Sequence, residues 1–235
     1  MQQLDELISR TETFFRQQAE LYGREFYLDL PEREDAGTES FATLASFGEA
    51  IQNCQKCGLA KSRTHFVFGT GNPHANLLCI GEAPGQEEDR LGEPFVGAAG
   101  ELLNRILKAI GFQREEVYIA NIIKCRPPGN RDPEPEEISQ CMPYLKQQIA
   151  MIQPRVILAL GRVAAQNLLN SAESLGSLRG KLHYFEKIPV MVTYHPAALL
   201  RNPSWKRSTW DDVKELRKFY DQEVGDKPAI NYKKS

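Results

Sequence analysis

At 235 residues, with 26% charged side chains and a formal net charge of −2, the chain is long enough to bury its own core and too evenly charged for a histone-like electrostatic binder. A DNA enzyme remains compatible with that charge, because a local basic patch can do the binding. No apolar run reaches the ~20 residues of a membrane-spanning helix, and no basic segment followed by an apolar one stands at the start. The reading is a soluble, cytoplasmic protein of a reducing compartment, where clustered cysteines are more often metal ligands than disulfides.

In chain order, residues 1–22 have Leu4, Leu7, Ile8, Phe14, Phe15 and Leu21 at roughly helical spacing, which predicts an amphipathic helix. Residues 23–45 have the Gly, Pro and charge content of a linker. The expected organisation is an N-terminal arm over 1–45, a main domain over 46–222 and a flexible tail over 223–235. Within the domain, short apolar β-type runs at 76–80, 117–122, 156–160 and 190–194 alternate with helical patterns at 98–110, 135–152, 163–169 and 208–220. Such alternation predicts an α/β fold, with parallel strands joined by right-handed crossovers and covered by helices on both faces.

The segments just after the strands carry the chemistry. The first strand runs into Gly81-Glu82-Ala83-Pro84-Gly85, the second into Asn121 and then Lys124-Cys125-Arg126-Pro127-Pro128, the third into Gly161-Arg162, and the fourth into His195-Pro196-Ala197. Ligands of open α/β sheets bind beyond the carboxyl ends of the strands. Glu82, Asn121 and His195 are therefore expected to converge on one pocket. Cys54 and Cys57 form a C-x-x-C pair, while Cys125 and Cys141 are separated by fifteen residues. That second spacing is loose for a zinc ribbon and is tolerated by an iron–sulfur cluster held from separate loops; zinc and unrelated thiols stand as the alternatives. Cys79, mid-strand, reads as a small buried apolar residue.

These residues, with Gly81-Glu82-Ala83-Pro84-Gly85-x-x-Glu88-Asp89, Gly92-x-Pro94-Phe95-Val96-Gly97, Asn121-Ile122-Ile123-Lys124-Cys125-Arg126-Pro127-Pro128 and His195-Pro196-Ala197-Ala198-Leu199-Leu200-Arg201, resemble the family 4 uracil-DNA glycosylases. The resemblance runs from about Cys54 to Arg201. It implies a three-layer α/β/α sandwich with a four-stranded parallel sheet. It also implies a [4Fe-4S] cluster on Cys54, Cys57, Cys125 and Cys141, and hydrolysis of the uracil–deoxyribose bond by a monomeric, monofunctional enzyme acting on uracil-containing DNA, single- or double-stranded, at the nucleoid. The N-terminal arm departs from that pattern and is a candidate docking segment for a protein partner.

For such a reaction the target base must be flipped out of the helix. Phe95 would stack on it and Asn121 would read its N3–H and O4 edge. His195 would donate to O2 as negative charge develops there, and Glu82 would orient water or stabilise the cationic sugar. Gly81 and Gly85 would let the backbone approach the base. Glu88 or the backbone near Gly85 would crowd the methyl of thymine. Ala83 stands where other branches carry an Asp or Asn, which leaves Glu82 as the nearest carboxylate of that loop. Lys124, Arg126 and Arg131 make one expected DNA-binding patch, and Leu199, Leu200, Arg201, Lys206 and Arg207 a second, in which apolar wedges lie beside phosphate-binding cations. The alternative is a protein that grips or covalently traps uracil-DNA without turnover. For it the sequence offers His183, in Arg179-Gly180-Lys181-Leu182-His183, without a densely basic run.

Overall fold

The computed structural model describes residues 41–230 and Tyr232. The helix expected over 1–22, most of the linker and any docking role of the arm lie outside the described residues. The compact unit begins at Phe41. Its first helix, α1 (Leu44–Ile51), is capped by Thr43, whose hydroxyl accepts from the Ser46 N–H, and it buries Leu44 and Phe47. The sequence boundary at 45/46 thus falls inside this helix.

The elements then run β1 (Thr70–Gly71), β2 (Leu77–Gly81), α2 (Gln86–Leu91), α3 (Ala98–Ala109), β3 (Tyr118–Asn121), α4 (Pro135–Ile152), β4 (Val156–Leu160), α5 (Arg162–Leu169), α6 (Leu175–Leu178), β5 (Leu182–Phe185), β6 (Ile188–Thr193), α7 (Pro196–Arg201) and α8 (Lys206–Glu223). One six-stranded sheet has the order β1-β3-β2-β4-β6-β5. The four inner strands are mutually parallel, as expected, but the sheet is larger than four strands: β1 and β5 add antiparallel edges. Those edges are two and four residues long and mostly exposed or half-buried, so they lack the all-apolar signature of the inner strands.

Strand alternation divides the core into two layers. Leu78, Ile80, Ile157, Ala159, Val190 and Val192 face one side, against Leu145, Ile149 and Ile152 of α4 and Ala164, Ala165 and Leu168 of α5. Leu77, Cys79, Val156, Leu158 and Leu160 face the other, against Leu103 and Leu107 of α3 and Val213, Leu216 and Tyr220 of α8. This is the expected α/β/α sandwich. Cys79 is fully buried, and burial pushes its thiol up to about 12, so it is an inert packing residue.

The C-terminal segment is no loose tail over 223–230. Arg217, fully buried on α8, donates to the Pro228 carbonyl at 2.7 Å and to that of Ile110 at 2.8 Å, and Lys227 pairs with Glu116 at 2.6 Å. These contacts pin the segment beside the end of α3.

Candidate active site

The register aligns the carboxyl ends of the inner strands: Gly81 lies opposite Asn121, and Leu160 opposite Thr193. Beyond that edge lies a cavity of about 310 Å³ lined by residues that include Glu82, Ala83, Gly85, Glu88, Phe95, Asn121 and His195. The residues expected from strand ends therefore do converge. The lining also includes Arg131, Arg201, Asn130 and Asp132.

Asn121 closes the floor. It is 1% exposed, and its Oδ1 is buried without a hydrogen-bond partner. Its main chain is fixed on two sides. Ile122 and Ile123 N–H donate to the Gly81 and Glu82 carbonyls, and the Lys124 ammonium donates to the Asn121 carbonyl at 2.8 Å. An unpaired buried amide oxygen is costly, by about 1–3 kcal/mol, unless a ligand satisfies it. Gly81 makes this floor possible. A Cβ there would stand 2.4 Å from Asn121 Oδ1 and 2.7 Å from the Phe95 ring. Gly81 itself is buried and outside the lining, and its missing side chain leaves the room that Asn121 and Phe95 occupy.

Phe95 forms one wall, its ring stacked on that of His195 at 5.4 Å and 30°. It occupies a left-handed conformation, φ 54°, which a bulky residue adopts only under constraint. The constraint is Arg114, which donates to the Pro94 carbonyl at 2.6 Å and to the Phe95 carbonyl at 3.2 Å. Glu88 ties the same wall to the glycine loop: Oε2 accepts from Gly85 N–H, and Oε1 from Val96 and Gly97 N–H at 2.9 and 3.0 Å.

His195 follows β6 as the N-cap of α7. Its Nδ1 accepts the Ala197 N–H at 3.2 Å. In a neutral imidazole that assignment leaves Nε2 as the N–H donor. Burial, with help from the Arg201 guanidinium and against Glu88, lowers the His195 pKa to about 4. The ring is therefore neutral at physiological pH. Gly161, at φ 93°, passes so close that a Cβ would lie 2.9 Å from His195 Cβ. Glu82 has its pKa raised to about 7, first by burial and then by Asp132, against the Arg162 and Arg201 guanidinium groups. A carboxylate poised there is suited to proton transfer near neutrality.

Cys54, Cys57, Cys125 and Cys141, none of which lines the pocket, line a second cavity with Arg63 and Tyr144. Donors point at three of the sulfurs: Arg63 Nη1 at Cys125, Tyr144 Oη at Cys54 and Lys124 N–H at Cys141, each at 3.3 Å. Among the described residues no three His, Cys, Asp or Glu side chains draw together as ligands of a single metal ion.

The model of the Uracil DNA glycosylase superfamily matches residues 68–214. A type-4 uracil-DNA glycosylase of Archaeoglobus fulgidus is 46% identical over 174 residues, covering 71% of this chain and 87% of the relative. One of Thermotoga maritima is 41% identical over 179 residues, covering 74% and 93%. A type-5 uracil-DNA glycosylase of Thermus thermophilus is 34% identical over 118 residues, covering 44% and 53%. The chain belongs to the type-4 branch of the uracil DNA glycosylase superfamily.

Within this superfamily chain, several expected contacts are corrected by burial. Lys124 is completely buried and bonded to the Asn121 carbonyl, so it is not a phosphate ligand. Leu199 is 1% exposed and packs inward, whereas Leu200, one position on, is 43% exposed; only the second can act as a wedge. Arg131 reaches the pocket rim but is engaged by Glu137 at 2.7 Å and Glu134 at 3.2 Å. Arg126 is half-buried and donates to Asn130 Oδ1 at 2.8 Å. Arg201, Lys206 and Arg207 are exposed, and none has a carboxylate within ion-pair distance among the described residues.

Sequence reasoning missed Arg63, Arg114, Tyr144 and Asp132. The first three act across long separations, with no local motif to mark them. Asp132 lies on the pocket rim in ion contact with Arg162.

Proposed function

We propose that the chain is a DNA repair glycosylase that hydrolyses the bond between uracil and deoxyribose and leaves an abasic site. The observation that carries this reading is the orphaned Asn121 amide oxygen at the floor of a cavity walled by Phe95 and His195. Uracil N3–H satisfies the amide oxygen while O4 accepts from the amide nitrogen, and Phe95 stacks on the ring. Cytosine offers the reversed pattern, which the amide matches only when turned over about its side-chain torsion. As the bond breaks, neutral His195 donates from Nε2 to the developing charge on O2. Glu82, as carboxylate, holds the attacking water or faces the cationic sugar. Leu200 fills the space left in the helix, and Arg201, Lys206 and Arg207 hold phosphates.

The four cysteines and the donors aimed at their sulfurs fit a [4Fe-4S] cluster, whose thiolates those donors would stabilise, better than a single ion. Cys125 lies four residues beyond Asn121, so the cluster would fix the reading strand and the loop after it. Its chemistry there is structural. Cys125→Ala should give colourless protein with a lowered melting temperature, checked by absorbance near the cluster bands and by thermal unfolding; a brown variant of unchanged stability would remove Cys125 from the ligand set.

The rival reading, covalent trapping, has little support: His183 does not line the pocket, and its Nε2 is engaged by the Leu178 carbonyl at 2.8 Å. A single-turnover assay on an oligonucleotide with one uracil tests both readings. Release of free uracil, with strand breakage only after alkali, is expected. A denaturant-stable protein–DNA adduct would overturn it. Because Glu82 works as carboxylate and its pKa is raised to about 7, the rate should fall as pH drops through that value, tenfold per pH unit below it, and Glu82→Gln should remove that limb. A wild-type rate flat from pH 5 to 8 would exclude Glu82.

A further inference from the structure

Tyr194 immediately precedes His195, and its ring is stacked on that of Trp205 at 4.6 Å and 19°. The Arg179 guanidinium lies over the same tyrosine ring, 4.3 Å from its centre. Tyr194 is thus packed by both an indole and a guanidinium. Arg179 is itself held by Asp212, at 2.8 Å from Nε and 2.7 Å from Nη2, and Asp212 also accepts from the Thr193 hydroxyl at 2.6 Å. The stack is therefore anchored at its inner end to β6 and α8. At its outer end Trp205 is 38% exposed, within the single 3₁₀ turn Pro203–Trp205 that joins α7 to α8.

A partly exposed indole braced by a second ring offers a ligand a rigid aromatic surface. Its surroundings indicate the occupant. Leu200 is exposed, and Arg201, Lys206 and Arg207 carry positive charge without carboxylate partners among the described residues, while Arg201 also lines the cavity. An aromatic face among unpaired cations matches single-stranded nucleic acid, whose bases stack and whose phosphates take the charge.

We propose that Trp205, backed by Tyr194 and Arg179, is a stacking platform for an unflipped base beside the extracted nucleotide. The inference rests on the glycosylase reading for its place in the reaction, but the platform itself is testable without uracil. Stacking on an aromatic face tolerates any base, so the platform grips the strand without reading it. It also replaces the stacking neighbour that the base loses when the adjacent nucleotide is extracted.

The chain has two tryptophans, Trp205 and Trp210, so Trp210→Phe isolates the platform's emission. Titration of that cluster-loaded variant with uracil-free oligothymidylate is expected to quench the remaining indole. Trp205→Ala should weaken oligothymidylate binding roughly 5- to 150-fold, and Trp205→Phe should restore most of it. Arg207→Ala should instead lower the salt dependence while the quench at saturation persists. Oligothymidylate that binds without changing Trp205 emission, or Trp205→Ala that binds as tightly as its parent, would overturn the proposal. Quenching in a protein that releases no uracil would keep the platform and reject the glycosylase reading, so the two failures are distinguishable.

Discussion

His195→Ala should slow single-turnover uracil release by about 100- to 1,000-fold while changing DNA affinity only a few fold. The argument is electrostatic. His195 has its Nδ1 committed to the Ala197 N–H, so its remaining ring N–H is the one that can meet the ligand. Its side chain is braced by the Phe95 ring on one side and by the close pass of Gly161 on another. A donor held that way needs no reorganisation when charge appears on uracil O2, and loss of one such donor raises the barrier by about 2.7–4 kcal/mol. Because burial keeps the imidazole pKa near 4, the wild-type rate should show no histidine limb between pH 5 and 9, and the limb expected near pH 7 should be that of Glu82. Rate and affinity falling together in His195→Ala would assign the residue to docking instead.

Gly81→Ala should cost about 100-fold in uracil release and leave a folded protein. The added methyl meets Asn121 Oδ1 at 2.4 Å and the Phe95 ring at 2.7 Å, and both are pocket walls rather than flexible ends. Gly81 does not need the left-handed conformation that glycine alone favours, so the main chain accepts alanine and the strain falls on the two walls. Overpacking of this kind costs about 1–3 kcal/mol of stability, or roughly 2–12 °C in Tm for a chain of this size. A displacement near 1 Å at a reacting geometry is enough for the expected loss of rate. Unchanged kinetics with normal melting would mean that Asn121 and Phe95 can retreat without consequence, and the amide would lose its place as base reader.

The parallel inner strands and their helices were legible because strands buried on both faces are written as unbroken apolar runs, and 156–160 and 135–152 appear in the structure with those bounds. The convergence of Glu82, Asn121 and His195 was legible from topology, since each stands at the carboxyl end of a parallel strand. The edge strands were not, because Thr70–Gly71 is too short to show a period and Leu182–Phe185 leaves Leu182 and Tyr184 exposed. Lys124 misled because a lysine beside an arginine and two prolines reads as a solvated loop; its burial is compensated by a main-chain carbonyl, which no side-chain motif announces. Leu199 and Leu200 are adjacent letters of equal hydropathy that helix α7 turns to opposite environments. Arg114 and Arg63 act on carbonyls and a thiol brought near by the fold alone.

The Glu88 carboxylate spans from Gly85 to Val96 and Gly97, so two walls of the cavity hang from one hinge pin. A mould built that way is set before DNA arrives, and its width is not adjustable one wall at a time. A substitution that moves the carboxylate releases Gly85 on one side and Val96 and Gly97 on the other. Any change at that one side chain therefore reaches both walls together.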